Sequence, residues 1–168
     1  PLKVELWCAP DVSHAFFRSS GFDKFVQSGA DLGERMANAL NFDDGQGTTA
    51  SVLIGTDCPT IDQDYILQAF TALADADVVL GPAEDGGYGL VGISAGRLPQ
   101  ADWWPLFENM PWSTDAVTTM TRTKAKALGV SVSLLEQVWD VDYAEDVRRW
   151  RAYQHRHDQV DKPAANAI

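Results

Sequence analysis

The chain has 168 residues, enough for one domain with a real core, and its 45% hydrophobic and 22% charged content is that of an ordinary globular protein. A formal net charge of -11 argues against a nucleic-acid binder, which must neutralise phosphates along a polyanion. Cys8 and Cys58 are too few for a disulfide framework, and no apolar run reaches the ~20 residues of a membrane span, so a cytoplasmic protein without a membrane partner is expected.

In chain order, residues 2–8 read as a strand that Ala9-Pro10-Asp11 breaks. Ser13 can cap a short helix through Ser19, and 22–26 is a brief strand. Asp31 opens a helix with Glu34 at the capping-box spacing, and Leu32, Met36 and Leu40 are predicted to share its buried face. A polar loop over 41–49 leads to the apolar run 51–55, whose near-continuous hydrophobicity suits a strand buried on both faces of a parallel sheet. Pro59 forbids its continuation, and helical spacing follows over 62–74. A second buried strand over 77–81 runs into Pro82-Ala-Glu-Asp-Gly-Gly-Tyr-Gly89, then a strand over 90–93 and an irregular aromatic segment over 99–111. Ser113 and Thr114 are placed to cap a helix that reaches Leu128 and is closed by Gly129. Strands over 130–135 and 139–142 and a helix over 144–153 complete a single domain over 1–154, with 155–168 as a loose tail. Strands alternating with helices predict an α/β fold: three layers, a mostly parallel sheet, helices on both faces.

Three clusters fall where such a sheet binds ligands, at strand ends. Asp57 follows the strand 51–55 and is either a divalent-metal ligand or a turn and capping residue. In Glu84-Asp85-Gly86-Gly87-Tyr88, paired glycines let backbone approach a ligand and two acids can position hydroxyls or a cation, while Asp-Gly is equally a hairpin signal. In Asp140-Val-Asp142-Tyr-Ala-Glu-Asp146, strand alternation sends Asp140 and Asp142 to one side, and Asp142 could instead cap the next helix. Trp103 and Trp104 read as residues closing the core rather than a stacking wall. No nucleophile elbow, Walker lysine loop or Gly-x-Gly-x-x-Gly is present.

The segments Gln27-Ser-Gly-Ala-Asp-Leu-Gly-Glu-Arg-Met36, Ile54-Gly-Thr-Asp-Cys-Pro59, Val79-Leu-Gly-Pro-Ala-Glu-Asp-Gly-Gly-Tyr88, Pro111-Trp-Ser-Thr114 and Asp140-Val-Asp-Tyr-Ala-Glu-Asp146 resemble a bacterial glycosyltransferase A-type family, labelled radical-SAM/selenodomain-associated transferase or domain of unknown function. The resemblance covers about residues 2–150 and extends distantly to phospholactate and molybdenum-cofactor guanylyltransferases and sugar-acid cytidylyltransferases. It implies a nucleotide-diphospho-sugar transferase fold and an Mg²⁺- or Mn²⁺-dependent transferase using a nucleotide or nucleotide-sugar with a small-molecule acceptor. Nucleotidyl transfer is the preferred reading, with glycosyl transfer and a non-catalytic nucleotide- or protein-binding domain as alternatives.

By the same resemblance, Asp57 and Asp142 are the catalytic, metal-holding carboxylates, with Thr56 among the substrate-binding residues. Gln27 to Gly33, with Arg35, line the nucleobase; Glu84, Asp85, Gly86, Gly87 and Tyr88, with Trp112, Ser113 and Thr114, hold acceptor or sugar. One departure stands out: nothing matches the family's first strand and its Pro-x-x-Gly-x-x-Lys-Thr-Arg phosphate loop. The domain is therefore expected to lack its first strand and to show an open slot beside 51–55.

Overall fold

The computed structural model describes residues 2–41 and 47–160. Six strands, β1 (Glu5–Cys8), β2 (Asp23–Val26), β3 (Ser51–Ile54), β4 (Val78–Pro82), β5 (Tyr88–Ile93) and β6 (Val132–Leu134), alternate with six helices. The helices are α1 (Ala15–Ser19), α2 (Leu32–Leu40), α3 (Gln63–Ala72), α4 (Gln100–Trp103), α5 (Val117–Leu128) and α6 (Ala144–Val160), with a 3₁₀ turn at Trp104–Leu106.

The centre is β4. Its uninterrupted apolar sequence lets side chains be buried on both faces, and Val78, Val79 and Leu80 are completely enclosed. Val78 and Leu80 join Val91, Ile93, Leu106, Phe107 and Ala125 in one core, whereas Val79 joins Leu90, Tyr65, Ala69, Leu73 and Val138 in the other. Helices α2, α4 and α5 supply residues to the first core, and α3 supplies the second.

The expectation of a mostly parallel sheet is corrected. The main sheet runs β3-β5-β4-β6, with β5 antiparallel to both β3 and β4, and β6 parallel to β4. The cause is the short connection over 83–87, since parallel neighbours need a crossover of a dozen or more residues. β1 and β2 form a separate parallel pair. β3 is bonded only to β5, and no described strand occupies its other edge.

Caps explain most boundaries. Asp31 and Asp62 each accept, at 2.8 Å, the amide three residues on, and Gly129 closes α5 at φ 73°. Other expectations shift. The buried face of α2 is Gly33, Ala37 and Leu40, with Leu32 exposed, because Gly33 lets the helix backbone meet the Phe107 carbonyl and the Trp112 ring. Residues 139–142 form no strand; pairing there ends at the single bridge Ala83–Val138. α6 continues past 153 to Val160, and the rest of the expected tail, 161–168, lies outside the described residues, as does 42–46 of the polar loop.

Asp77 ties the start of β4 to the α5–β6 turn. Its carboxylate accepts from Ser131 Oγ (2.6 Å) and Ser131 N (2.9 Å), and from Arg97 Nε (3.3 Å). The Ser131 bonds, then Arg97, hold its carboxyl below the usual carboxylate range. A depressed folded value means stability that is complete above the unfolded value of about 4 and is lost as pH falls through the folded one. Urea midpoints measured down an acid series should show this loss in the wild type and a shallower one in Asp77→Asn. Leu80→Ala should cost about 2–5 kcal/mol in the same measurement at neutral pH.

Candidate functional site

β3, β4 and β6 run the same way, so their carboxyl ends share one edge, and three acidic segments arrive there by backbone bonding. The Gly55 amide bonds to the Gly89 carbonyl (2.9 Å), after which Thr56 and Asp57 turn out into solvent while Cys58 turns inward. The bridge between Ala83 and Val138, with Val138 N on Pro82 O (2.8 Å) and Glu84 N on Val138 O (3.1 Å), lays the 138–142 segment along the end of β4. Val141 N then donates to the Asp57 carbonyl (3.0 Å), closing the third side. Positions 57 and 141, far apart in sequence, are neighbours.

The loop after β4 is a turn. Gly86 N donates to Ala83 O (3.1 Å), Ala83 N to Gly87 O (2.9 Å), and Gly87 N to Asp85 Oδ1 (2.8 Å). Gly86 has φ 91° and sits against the Asp115 backbone so closely that any Cβ would collide with it. Gly87 lies outside the positive-φ region, so close approach belongs to Gly86 alone. The hairpin and ligand-approach readings of this stretch are compatible.

Among these acids the electrostatics single out Asp140. Burial, then the charges of Asp85, Asp142 and Asp57, push the Asp140 carboxyl above the usual carboxylate range. Cys58 Sγ is 3.7 Å from Asp57 Oδ1, and burial, followed by Asp57, Asp140 and Asp85, pushes its thiol up to about 12. A neutral thiol beneath three acids is packing, not a nucleophile. Among the described residues, no group of three or more His, Cys, Asp or Glu could hold a metal ion by itself.

Asp142 is exposed, as Asp57 and Asp85 are, and its amide, with that of Tyr143, donates to Asp146 Oδ2 (3.2 and 2.8 Å). The helix start is thus secured by Asp146 reaching back rather than by Asp142 with Glu145. The alternation that paired Asp140 with Asp142 fails because 139–142 is not a strand. Asp140, the half-buried member, has Asp85, Asp142 and Asp57 as its charged neighbours.

The other expected residues are placed as follows. Gln27 is held to β1, its Nε2 on Trp7 O (3.1 Å) and its amide on Cys8 O (2.8 Å). Gly33 is buried against Phe107 and Trp112, and Arg35 Nε donates to Gly29 O (3.3 Å). Among the described residues, no hydrogen bond or ion pair joins 27–35 to the three acids. Tyr88 and Trp112 meet edge to face at 6.3 Å and pack on the first core. The Trp112 indole nitrogen is enclosed without a partner, and the Tyr88 hydroxyl is enclosed beside Thr121 without a normal hydrogen bond; burial raises the Tyr88 pKa. Both side chains therefore support the loop in this structure and present no polar atom to a ligand. Ser113 (φ 63°) and Thr114 are exposed, with Thr114 Oγ1 on Pro111 O (2.7 Å); α5 begins only at Val117 and has no side-chain cap. Thr56 is exposed beside Asp57. Sequence reasoning missed Arg149, which grips Glu84 from 65 positions away with no local signal.

Alternating elements around this mixed sheet define a nucleotide-diphospho-sugar transferase-like fold. A solved structure from Desulfovibrio desulfuricans G20, provisionally named a nucleotide-diphospho-sugar transferase, superposes with a TM-score of 0.73 at 24% identity. The match covers 94% of this chain and 74% of that one, and shows likeness of fold. The chain itself belongs to the family described as "Uncharacterized protein conserved in bacteria (DUF2064)", whose model matches residues 1–114. No curated protein matches it. No described helix is long and apolar enough to cross a membrane.

Because the glycines differ in conformation, Gly86→Ala should cost about 1–3 kcal/mol or more. Gly87→Ala should be much milder, since its Cβ meets only Asp85 Oδ1 at 3.1 Å. Thermal melts of the two variants make the comparison.

Proposed function

We propose that this protein is a divalent-metal-dependent transferase acting on a nucleotide or nucleotide-sugar, with nucleotidyl transfer as the preferred reaction. The observation carrying the proposal is the convergence of Asp57, Asp85 and Asp140 from three separate connections on one sheet edge, where burial and the charges of Asp85, Asp142 and Asp57 hold the Asp140 carboxyl above the usual carboxylate range. Hard carboxylate oxygens suit Mg²⁺ or Mn²⁺, and Mg²⁺ is typically held by one or two carboxylates plus substrate phosphates rather than by a complete protein cage. The absence, among the described residues, of a self-sufficient metal cluster fits that mode of binding. The donors nominated are Asp57 and Asp140, with Asp85 oriented beside them and Asp142 strengthening the field. Such a cation would offset charge building on a departing phosphate.

In nucleotidyl transfer an acceptor oxygen bonds to the α-phosphorus of a nucleoside triphosphate, and pyrophosphate leaves. Glycosyl transfer is the second reading, favoured by the name of the structural relative; it releases a nucleoside mono- or diphosphate instead. The fixed carbonyl of Asp57 and the turn at Gly86 hold the acids still, so less ordering remains to be done when substrate binds.

A thermal-shift panel of nucleotides and nucleotide-sugars with and without Mg²⁺ tests the reading. At hundredfold excess over Kd, the correct ligand should raise Tm by about 5–10 °C only with metal present. Asp57→Asn should lose this response and still fold. Asp140→Asn should raise Tm without divalent cation, because a repelled charge is gone, and should also lose the response. A panel with no metal-dependent shift rejects the proposal; assaying pyrophosphate against nucleoside phosphates then separates the two reactions.

A further inference from the structure

Arg149 of α6 and Glu84 form a two-pronged pair, Nη1 to Oε2 at 2.6 Å and Nη2 to Oε1 at 2.7 Å. The same guanidinium lies over the Trp139 ring, 4.3 Å from its centroid, and Trp139 in turn meets Tyr153 edge to face at 6.3 Å. An ordinary surface ion pair contributes little. This one is bidentate, stacked on a buried indole and placed with respect to the acids in a particular way. Glu84 directly precedes Asp85, and Trp139 directly precedes Asp140. One side chain from the last helix therefore touches the residue before each of two acids.

We propose that Arg149 is a positioning residue that sets the separation and orientation of Asp85 and Asp140 for cation binding. The inference rests on the metal reading of the acidic cluster. It also gives Glu84 a role other than substrate contact: its carboxylate is spoken for, so it is a strut in the loop rather than a ligand. Lysine could supply the charge but not the fork, because an ammonium cannot engage both carboxylate oxygens in plane while lying flat on an indole.

The test uses the full chain and Mn²⁺ alone, with uptake read by water-proton relaxation, on the wild type, Arg149→Ala, Arg149→Lys, Glu84→Gln and the double variant Arg149→Ala/Glu84→Gln. If Arg149 acted only as a nearby positive charge, Arg149→Ala would strengthen Mn²⁺ uptake and Glu84→Gln would weaken it. Positioning predicts that both weaken it, by about tenfold, the lower end for residues that orient metal ligands. The double variant should be no worse than either single one, and Arg149→Lys should recover only part of the loss. A metal-free readout accompanies this: hydrogen exchange at the Gly87 amide, which donates to Asp85 Oδ1, should accelerate in Arg149→Ala. Opposite signs for the two single variants overturn the positioning role. So do variants that match a Mn²⁺-binding wild type in affinity and in Gly87 exchange, and in that case the metal reading stands. A wild type that takes up no Mn²⁺ by itself overturns this role, while the metal reading, in which substrate phosphates complete the ligand set, is decided by the nucleotide panel.

Discussion

Five residues, 83–87, join β4 to β5, and a connection that short can only fold the chain back beside itself. From that constraint follow the antiparallel central strand, the place of β3 outside β5, and the loop tip carrying Asp85 at the carboxyl edge of β4. The turn in turn depends on Gly86, whose left-handed backbone is pressed against Asp115 just ahead of α5. Thr118 completes the junction: its amide bonds to Gly86 O (2.9 Å) and its hydroxyl to Gly87 O (2.5 Å). The hairpin is thereby clamped from the α5 side as well as by its own strand pairing.

The edge that this hairpin builds works against stability. Asp57, Asp85 and Asp140 gather with Asp142 in a protein already carrying a net charge of -11, and a neutral, buried Cys58 lies beneath them. Nothing about packing requires that crowding, because Val138 and Leu90 would close the core below whatever stood above them. A carboxyl raised as that of Asp140 is one that a nearby cation would stabilise, which is why perturbed carboxylates point to function. Arg149 pairs with Glu84 at the rim and also feels Asp146, while the Asp140 carboxyl stays raised by burial and its acidic neighbours.

Much of the fold was legible where local chemistry decides it. Asp31 and Asp62 announced α2 and α3, Gly129 announced the end of α5, and the runs 51–55 and 77–81 announced β3 and β4. The direction of β5 was written in Asp85-Gly86 as well, but alternating strands and helices outweighed the hairpin signal. At the site, Asp57, Asp85 and the 140–142 segment could be picked out as acids at strand ends. The irregular backbone of 139–142 could not, because it depends on where pairing stops, and that is set by the tertiary bridge Ala83–Val138. Arg149 was invisible for the same reason: its partners, Glu84 and Trp139, meet it only once α6 has docked.

The division of labour along the chain has a further consequence. The family match covers residues 1–114 and so takes in Asp57 and Asp85, whereas Asp140, Trp139 and Arg149 lie beyond it. Trp139 and Asp140 are nonetheless delivered to the same edge by backbone bonds that do not depend on side-chain identity: β6 on β4, Val138 on Pro82, Val141 on Asp57. That approach fixes the main chain of 138–141, while the Trp139 side chain is itself buried and packed between Arg149 and Tyr153. Acids from both sides of residue 114 therefore reach one edge through main-chain geometry.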